Sequence, residues 1–273
     1  MTQLVVRRLL IDLQAPFARR WNGGDAFRSA LFNALSMSFP VGEQFFIDAV
    51  RLGMKALPAA ERAALEAEVQ GFIGQEATHR RIHALFNAQL EAQGHVNTWG
   101  PRSAERVAGI AAFDARHAVA VTAATEHLTA ILADWMLAHP QAFEGSEPRL
   151  ATLWLWHSAE ESEHRATAFD LYRALGGNQA WRVRWFRLVT RQFLLDLARQ
   201  TGRNLWHDGA VFQWRTWRSA ATFLFGRDGV VRLTRPAWRR YLADDFHPHQ
   251  QPADRSADWL RANTAQFSVV GQG

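Results

Sequence analysis

Apolar residues recur three and four apart over four long stretches of the chain, and up to residue 177 no stretch sustains alternation in twos. That pattern predicts amphipathic helices and no sheet. The first helix is expected from Ala26 to about Ala56, opened by Asp25 as N-cap after the breaker Gly23-Gly24 and closed by Leu57-Pro58. Pro40 lies inside it and should kink it or start a new segment, because proline removes a backbone donor and crowds the preceding turn. The second runs from about Ala59 to Gln93, stopped by Gly94; the third from Ala104 to Ala138, ended by His139-Pro140; the fourth from Arg149 to Leu175, stopped by Gly176-Gly177. The expected organisation is an irregular N-terminal extension over 1–24, a four-helix bundle over 25–177, further helices packing on it over 178–249, and a loosely held tail over 250–273. The later helices should cover Trp181 to about Arg199, Phe212 to Phe225 and Arg232 to Ala243. The fold class is all-α.

Four acidic residues interrupt this pattern. Glu43, Glu76, Glu126 and Glu161 each sit on a different predicted helix among apolar neighbours. Glu43 and Glu76 are 33 residues apart with Leu57-Pro58 near their midpoint, and Glu126 and Glu161 are 35 apart with the Phe143–Glu147 loop near theirs. At about 1.5 Å per residue the chain climbs and descends by roughly 20 Å in each half, so antiparallel packing returns both carboxylates of a half to one level. The second member of each half belongs to Glu-x-x-His: Glu76 with His79, Glu161 with His164. Residues three apart share a helix face, so each pair can grip one ion. Four carboxylates in a bundle core would repel one another and lose their hydration; two metal ions neutralise them. Glu43, Glu76, His79, Glu126, Glu161 and His164 form the ligand set of a di-iron or di-manganese carboxylate centre. Two iron ions are the expected cofactor, with manganese the alternative that the same O/N donors accept.

Other polar residues lie near these positions. His83 is one turn beyond His79 and His157 one turn before Glu161, about 5.4 Å along the helix. With Glu160 they are candidates for a pocket or proton-transfer role, and metal is expected to survive replacement of either histidine because six ligands are already in place. Asp48, Asp134 and Asp170 are candidates to accept the outer N–H of a metal-bound histidine. His127 points about 100° away from Glu126 and should not be a ligand. Glu163 should face solvent.

The chain has 273 residues, 48% of them hydrophobic, enough for one elaborated domain with a substantial core. It has no cysteine, which excludes disulfides, thiolate metal sites and a cysteine nucleophile. Lys55 is the only lysine, so the formal charge of +5 is carried almost wholly by arginine. Much of it follows residue 180, where Trp181, Trp185, Trp206, Trp214, Trp217 and Trp238 interleave with Arg182, Arg184, Arg187, Arg191, Arg215 and Arg218. Two readings fit: helices that bury aromatics while arginines snorkel, or a peripheral contact of residues 181–225 with an anionic membrane. No recognised module accompanies the charge, so nucleic acid is not expected as a partner. The first twenty residues lack a continuous apolar run with a cleavage site, and no segment has the length and apolarity of a membrane span. A cytoplasmic, at most membrane-peripheral, chain is expected.

The segments Phe39-Pro-Val-Gly-Glu-Gln-Phe-Phe, Gly71-Phe-Ile-Gly-Gln-Glu-Ala-Thr-His, Glu126-His-Leu-Thr-Ala and Trp156-His-Ser-Ala-Glu-Glu-Ser-Glu-His-Arg-Ala-Thr-Ala-Phe-Asp170, with the late Phe246-His-Pro, resemble the family of predicted metal-dependent hydrolases. The resemblance covers roughly residues 25–250. It implies a helical metalloprotein with a ferritin-like bundle. The family's name implies hydrolysis, whereas the broader ferritin-like di-iron group contains many oxygen-activating enzymes. Carboxylate-rich ligation suits a metal that changes oxidation state, so the reading favoured on sequence is an O2-activating oxidoreductase acting on a small apolar or amphiphilic substrate. It would need an electron donor. A two-metal hydrolase and a non-catalytic metal-binding protein are the alternatives, and a homodimer is a candidate assembly.

Overall fold

The computed structural model describes residues 4–110, 113–251 and 254–271. Two long helices, α1 (Ala26–Ala56) and α2 (Ala59–Ala92), are joined by Leu57-Pro58, a link too short for anything but an antiparallel pair. Then come α3 (Trp99–Ile110), α4 (Ala115–Ala138), α5 (Pro148–His164) and α6 (Thr167–Ala174), followed by α7 (Gln179–His207), α8 (Trp214–Phe225), α9 (Val230–Arg240) and α10 (Asp254–Ala262). The fold is all-α apart from one small ribbon.

Several expectations change. Pro40 does not end α1 or start a new segment; the helix is continuous through it. The donor that proline removes would have bonded the carbonyl of Ser36, and Asn87 Nδ2 donates to that carbonyl instead, at 2.9 Å. The single helix expected over 104–138 is two, because Asp114 leaves the helical region and caps α4 by accepting from Arg116 N at 2.9 Å. The helix expected over 149–175 breaks after His164, where the Arg165 guanidinium donates to the carbonyls of Pro248 and Gln251 at 3.1 and 3.0 Å. α7 runs on to His207, past the expected end at Arg199.

Both chain ends are more ordered than the polar pattern suggested. Strand β1 (Arg7–Leu9) pairs antiparallel with β2 (Phe267–Val269), with Arg7 opposite Val269 and Leu9 opposite Phe267. The tail is not loosely held: α10 lies on α5, Leu260 is buried, and Ser256 Oγ donates to the carbonyl of Ala159 at 2.7 Å. Three-residue strands carry too little periodicity to be read from sequence.

Two of the apolar core clusters lie along the bundle. One gathers Phe32, Phe86, Trp154 and Trp156; the other gathers Phe45, Phe72, Val119 and Tyr172. On α1, α2 and α4, and along α5 into α6, the predicted ligands fall between residues of the two clusters, so they form a polar layer enclosed on both sides. A third cluster joins α4 and α6 to the C-terminal helices through Phe169, Phe186, Tyr241 and Phe246. Arg182 is buried within it, its guanidinium 5.0 Å from the Tyr241 ring centroid. His127 packs there too, 4.5 Å from Tyr241 between centroids, with Nε2 3.2 Å from the carbonyl of Ala237.

The N-terminal segment reaches the bundle across two glycines of α2. A Cβ on Gly71 would lie 2.5 Å from Leu4 Cβ, and one on Gly74 would lie 2.4 Å from Val6 Cγ2. Gly74→Ala would gain about 1 kcal/mol of helix propensity but overpack by about 1–3 kcal/mol, so it should lower the melting temperature by a few degrees, roughly 2–4 °C per kcal/mol lost. It should also speed amide exchange at Val270, whose N–H donates to the carbonyl of Val6 at 2.9 Å. Gly202→Ala, in α7 with nothing within 4 Å of the added Cβ, should raise the melting temperature. Equal effects from the two would show that the close approach carries no strain.

Candidate metal centre

Each of four helices points one candidate carboxylate into the polar layer. Glu43 comes from α1, Glu76 from α2, Glu126 from α4 and Glu161 from α5, all of them buried. His164 Nε2 stands 3.1 Å from Glu76 Oε1, 3.2 Å from Glu126 Oε2 and 3.6 Å from Glu161 Oε1. His79 Nδ1 stands 3.4 Å from Glu161 Oε1 and 3.9 Å from Glu76 Oε1. Ligand atoms of Glu43, Glu76 and His79 lie within 4.8 Å of one another, as do those of Glu76, Glu161 and His164 and those of His79, His157 and Glu161. The six residues predicted from spacing are therefore brought together.

Hydrogen bonds on the far side of each ring fix which nitrogen faces inward. His164 Nδ1–H donates to Gln75 Oε1 at 2.9 Å, leaving the Nε2 lone pair for the centre. His79 Nε2–H donates to Glu160 Oε2 at 3.0 Å, leaving Nδ1. The third ring is set through a longer chain. Ser36 Oγ–H donates to Asn87 Oδ1 at 2.8 Å, so Ser36 Oγ accepts from His83 Nδ1–H at 2.9 Å. His83 Nε2 then accepts from His157 Nδ1–H at 2.7 Å, and His157 Nε2 carries a lone pair into the layer, 2.9 Å from Glu161 Oε1 and 3.9 Å from Glu43 Oε1. Burial lowers His157 to about 4, with the charge of His79 adding to it. Burial also holds His83 well below its ordinary value. Both rings are neutral, as the chain of donors requires.

The outer partners are not the aspartates expected from sequence. Asp48 is exposed and bonds Gln44, Asp134 pairs with Arg255 at 2.8 Å, and Asp170 pairs with His247 at 2.8 Å. Asp48 is five residues beyond Glu43, which turns it away from the ligand face; Asp134 is two turns past Glu126; the break after His164 carries Asp170 out of register. The positions they were to fill belong to Gln75 and Glu160. Gln75 Nε2 donates to the carbonyl of Val5 at 3.0 Å and to Glu163 Oε2 at 2.8 Å. Arg7 Nη1 donates to Glu160 Oε1 at 3.1 Å and to Glu163 Oε2 at 2.6 Å, so Glu163 is an ion-pair partner, not a solvent-facing residue. Arg7, Gln75, Ser36 and Asn87 were missed by sequence reading. Only Gln75, adjoining Glu76, carried a local signal.

The donor atoms that face inward have nothing to bond. Both carboxylate oxygens of Glu43, Glu76 and Glu126, one of Glu161, Nδ1 of His79 and Nε2 of His164 are buried without a hydrogen-bond partner. Native interiors rarely leave polar atoms so. Burial first, then neighbouring carboxylates, raises Glu43 far above the usual range and Glu126 to about 8. At His79 burial opposes, but the hydrogen bond to Glu160 and the facing carboxylate of Glu161 win and carry it to about 10. A set of hard oxygens and oriented imidazoles fits divalent ions bound in place of those protons.

Two cavities lie where α7 meets α1 and α4. One of about 130 Å³ is walled by Phe39, Gly42, Phe46, Val121, Thr125 and Phe193. Its Phe39 ring lies 4.6 Å from His83 and 5.0 Å from His157 between centroids. Phe193 also walls the second, of about 350 Å³, whose floor includes Leu31, Leu35 and Ile131. Leu194, Val231 and Arg235 form its exposed rim.

No helix among the described residues is long and apolar enough to cross a membrane. No curated protein and no solved structure matches the chain. The family model described as "Predicted metal-dependent hydrolase" matches residues 5–252, nearly the whole length, and the buried histidine and glutamate groups fit a metal site. The chain belongs to the family of predicted metal-dependent hydrolases.

Proposed function

We propose that the chain is a two-metal hydrolase acting on an apolar or amphiphilic substrate, with Glu43, Glu76, His79, Glu126, Glu161, His164 and also His157 as its ligands. The observation that carries the metal reading is the layer of unpartnered buried carboxylate oxygens; the family supports hydrolysis. When bound, two divalent ions (iron or manganese) supply Lewis acidity toward a scissile bond and acidify water, or, as iron, supply reactivity toward O2. The protein's part is orientation. Gln75, Glu160 and the Asn87–Ser36–His83 chain aim three imidazole lone pairs, and Arg7 holds Glu160 in place. The apolar cavities on either side of Phe193 receive the substrate and keep bulk water out.

The oxidative reading, with an electron donor and an apolar substrate, draws on one observation: the centre is shut away from solvent, with Glu76, His79 and His164 at 0% exposure and the adjoining cavity walls mostly apolar. Metal-loaded protein prepared without O2 separates the two. Anaerobic multiple turnover of ester, amide or phosphoester substrates supports hydrolysis. A transient absorbance on mixing with O2, without anaerobic turnover, supports oxidation. We further propose that the surface around α8 touches anionic membranes, since Trp206, Phe212, Trp214 and Trp217 are all more than half exposed beside Arg215 and Arg218.

Two measurements test the ligand set. His157→Ala should cost one metal equivalent by elemental analysis, and Ser36→Ala should keep both while weakening binding roughly 10-fold. Full metal content in His157→Ala with altered reactivity would return His157 to a proton-transfer role.

The metal-free protein should respond to pH in a set direction. Glu126 at about 8 and His79 at about 10 hold protons more tightly folded than unfolded, where the values are 4.5 and 6.5. Their contribution is fully present below the unfolded values and is lost as pH rises through the folded ones. Chelated protein should therefore melt lower at about pH 9 than at about pH 6, and metal should stabilise it most at the higher pH. A melting temperature that rises over this range would remove the clustered-carboxylate account.

A further inference from the structure

The C-termini of α2 and α7 meet far from the bundle centre, roughly 20 Å along α2 from His79, and they end alike. Each turns on a glycine with positive φ, Gly94 at 88° and Gly209 at 62°. In the first, Gly94 N bonds the carbonyl of Glu91 and His95 N that of Leu90; in the second, Gly209 N bonds Trp206 and Ala210 N bonds Leu205. Two helix C-termini thus bring partial negative charge to one place, which favours a cation.

Three side chains converge there. His95 Nε2 is 3.5 Å from Asp208 Oδ1, and His207 Nδ1 is 3.2 Å from the same oxygen. The two imidazole centroids are 4.3 Å apart. His95 is only 3% exposed, yet neither of its ring nitrogens has a hydrogen-bond partner, and Oδ2 of Asp208 is likewise buried and unpartnered. Such atoms call for a ligand. Arg19 and Arg20 are spent on backbone, donating to the carbonyls of Gln93 and Asp208 at 3.2 and 3.5 Å. They leave the three side chains facing one another.

We propose that His95, His207 and Asp208 form a zinc site separate from the bundle centre. Two ligands about 2.0–2.1 Å from a tetrahedral ion are themselves roughly 3.3–3.4 Å apart, which the observed separations bracket. Two imidazoles with one carboxylate suit zinc and not calcium or magnesium, which take oxygen alone. Three protein ligands leave a fourth position for water beside the exposed His207. The ion ties the turn after α2 to the end of α7 and stiffens the connection into α3, which Gln200 already holds by donating to the carbonyl of Val96 at 3.0 Å.

The test uses the full chain equilibrated with zinc chloride, desalted and analysed for metal, beside His207→Ala and Glu126→Gln. His207→Ala, an exposed substitution, should hold one zinc fewer than the parent, whereas Glu126→Gln should keep this zinc whatever happens at the bundle centre. Zinc at about 100-fold over its Kd should raise the parent's melting temperature by roughly 5 °C or more, and Asp208→Asn should show a clearly smaller gain. Equal zinc content in parent and His207→Ala, or an equal thermal shift in parent and Asp208→Asn, would overturn the site. Neither outcome depends on whether the bundle centre binds metal.

Discussion

Four carboxylates without solvent are the constraint on which the structure turns. Each buried, unpaired charge costs several kcal/mol even after relaxation, and Glu43, Glu76, Glu126 and Glu161 share one layer between two apolar clusters. The buried arginines do not cancel them. Arg7 is committed to Glu160 and Glu163, and Arg182 is buried among aromatic rings elsewhere. Without metal the layer reaches neutrality only by taking up protons, which is why burial raises Glu43 and Glu126. Two divalent ions would cancel four carboxylates charge for charge. The apolar layers above and below keep water from doing the same work less selectively.

Rigidity around that layer comes from bonds made outside it. A histidine that must present one nitrogen has to hold its other proton on a fixed acceptor. The acceptors here are Glu160, Gln75 and, through His83, Ser36. Glu160 and Gln75 are tied in turn to the N-terminal segment, through Arg7 and the carbonyl of Val5. That segment approaches α2 only because Gly71 and Gly74 leave room for it, and β2 holds it from the far end of the chain. The orientation of His79 and His164 therefore depends on residues at both termini.

The legible parts were those carried by periodicity and repetition. Glu43, Glu76, His79, Glu126, Glu161 and His164 could be placed together because helical rise and short links make levels computable. What failed was anything set by contacts across the fold. Asp48, Asp134 and Asp170 were chosen for nearness in sequence, yet His79 is held by Glu160 from α5, and His164 on α5 is held by Gln75 from α2. Glu163 read as a surface residue because Arg7, some 156 positions away, has no local signature. The helix break after His164 has no breaker residue; it falls at Arg165, which bonds carbonyls near the end of the chain.

Pro40 shows how a violation of local rules can belong to the site. As a helix residue it is a defect, since it leaves the Ser36 carbonyl without its donor. Asn87 fills the vacancy, and once Asn87 Nδ2 is bound there its Oδ1 is fixed where Ser36 Oγ–H can reach it. That contact turns the Ser36 oxygen into an acceptor, orients His83, and so decides which nitrogen of His157 meets the carboxylates. An ordinary residue at position 40 would restore the helical bond and compete with Asn87 for the same carbonyl. The cost of proline inside α1 is then part of the means by which a third imidazole is aimed at the metal layer.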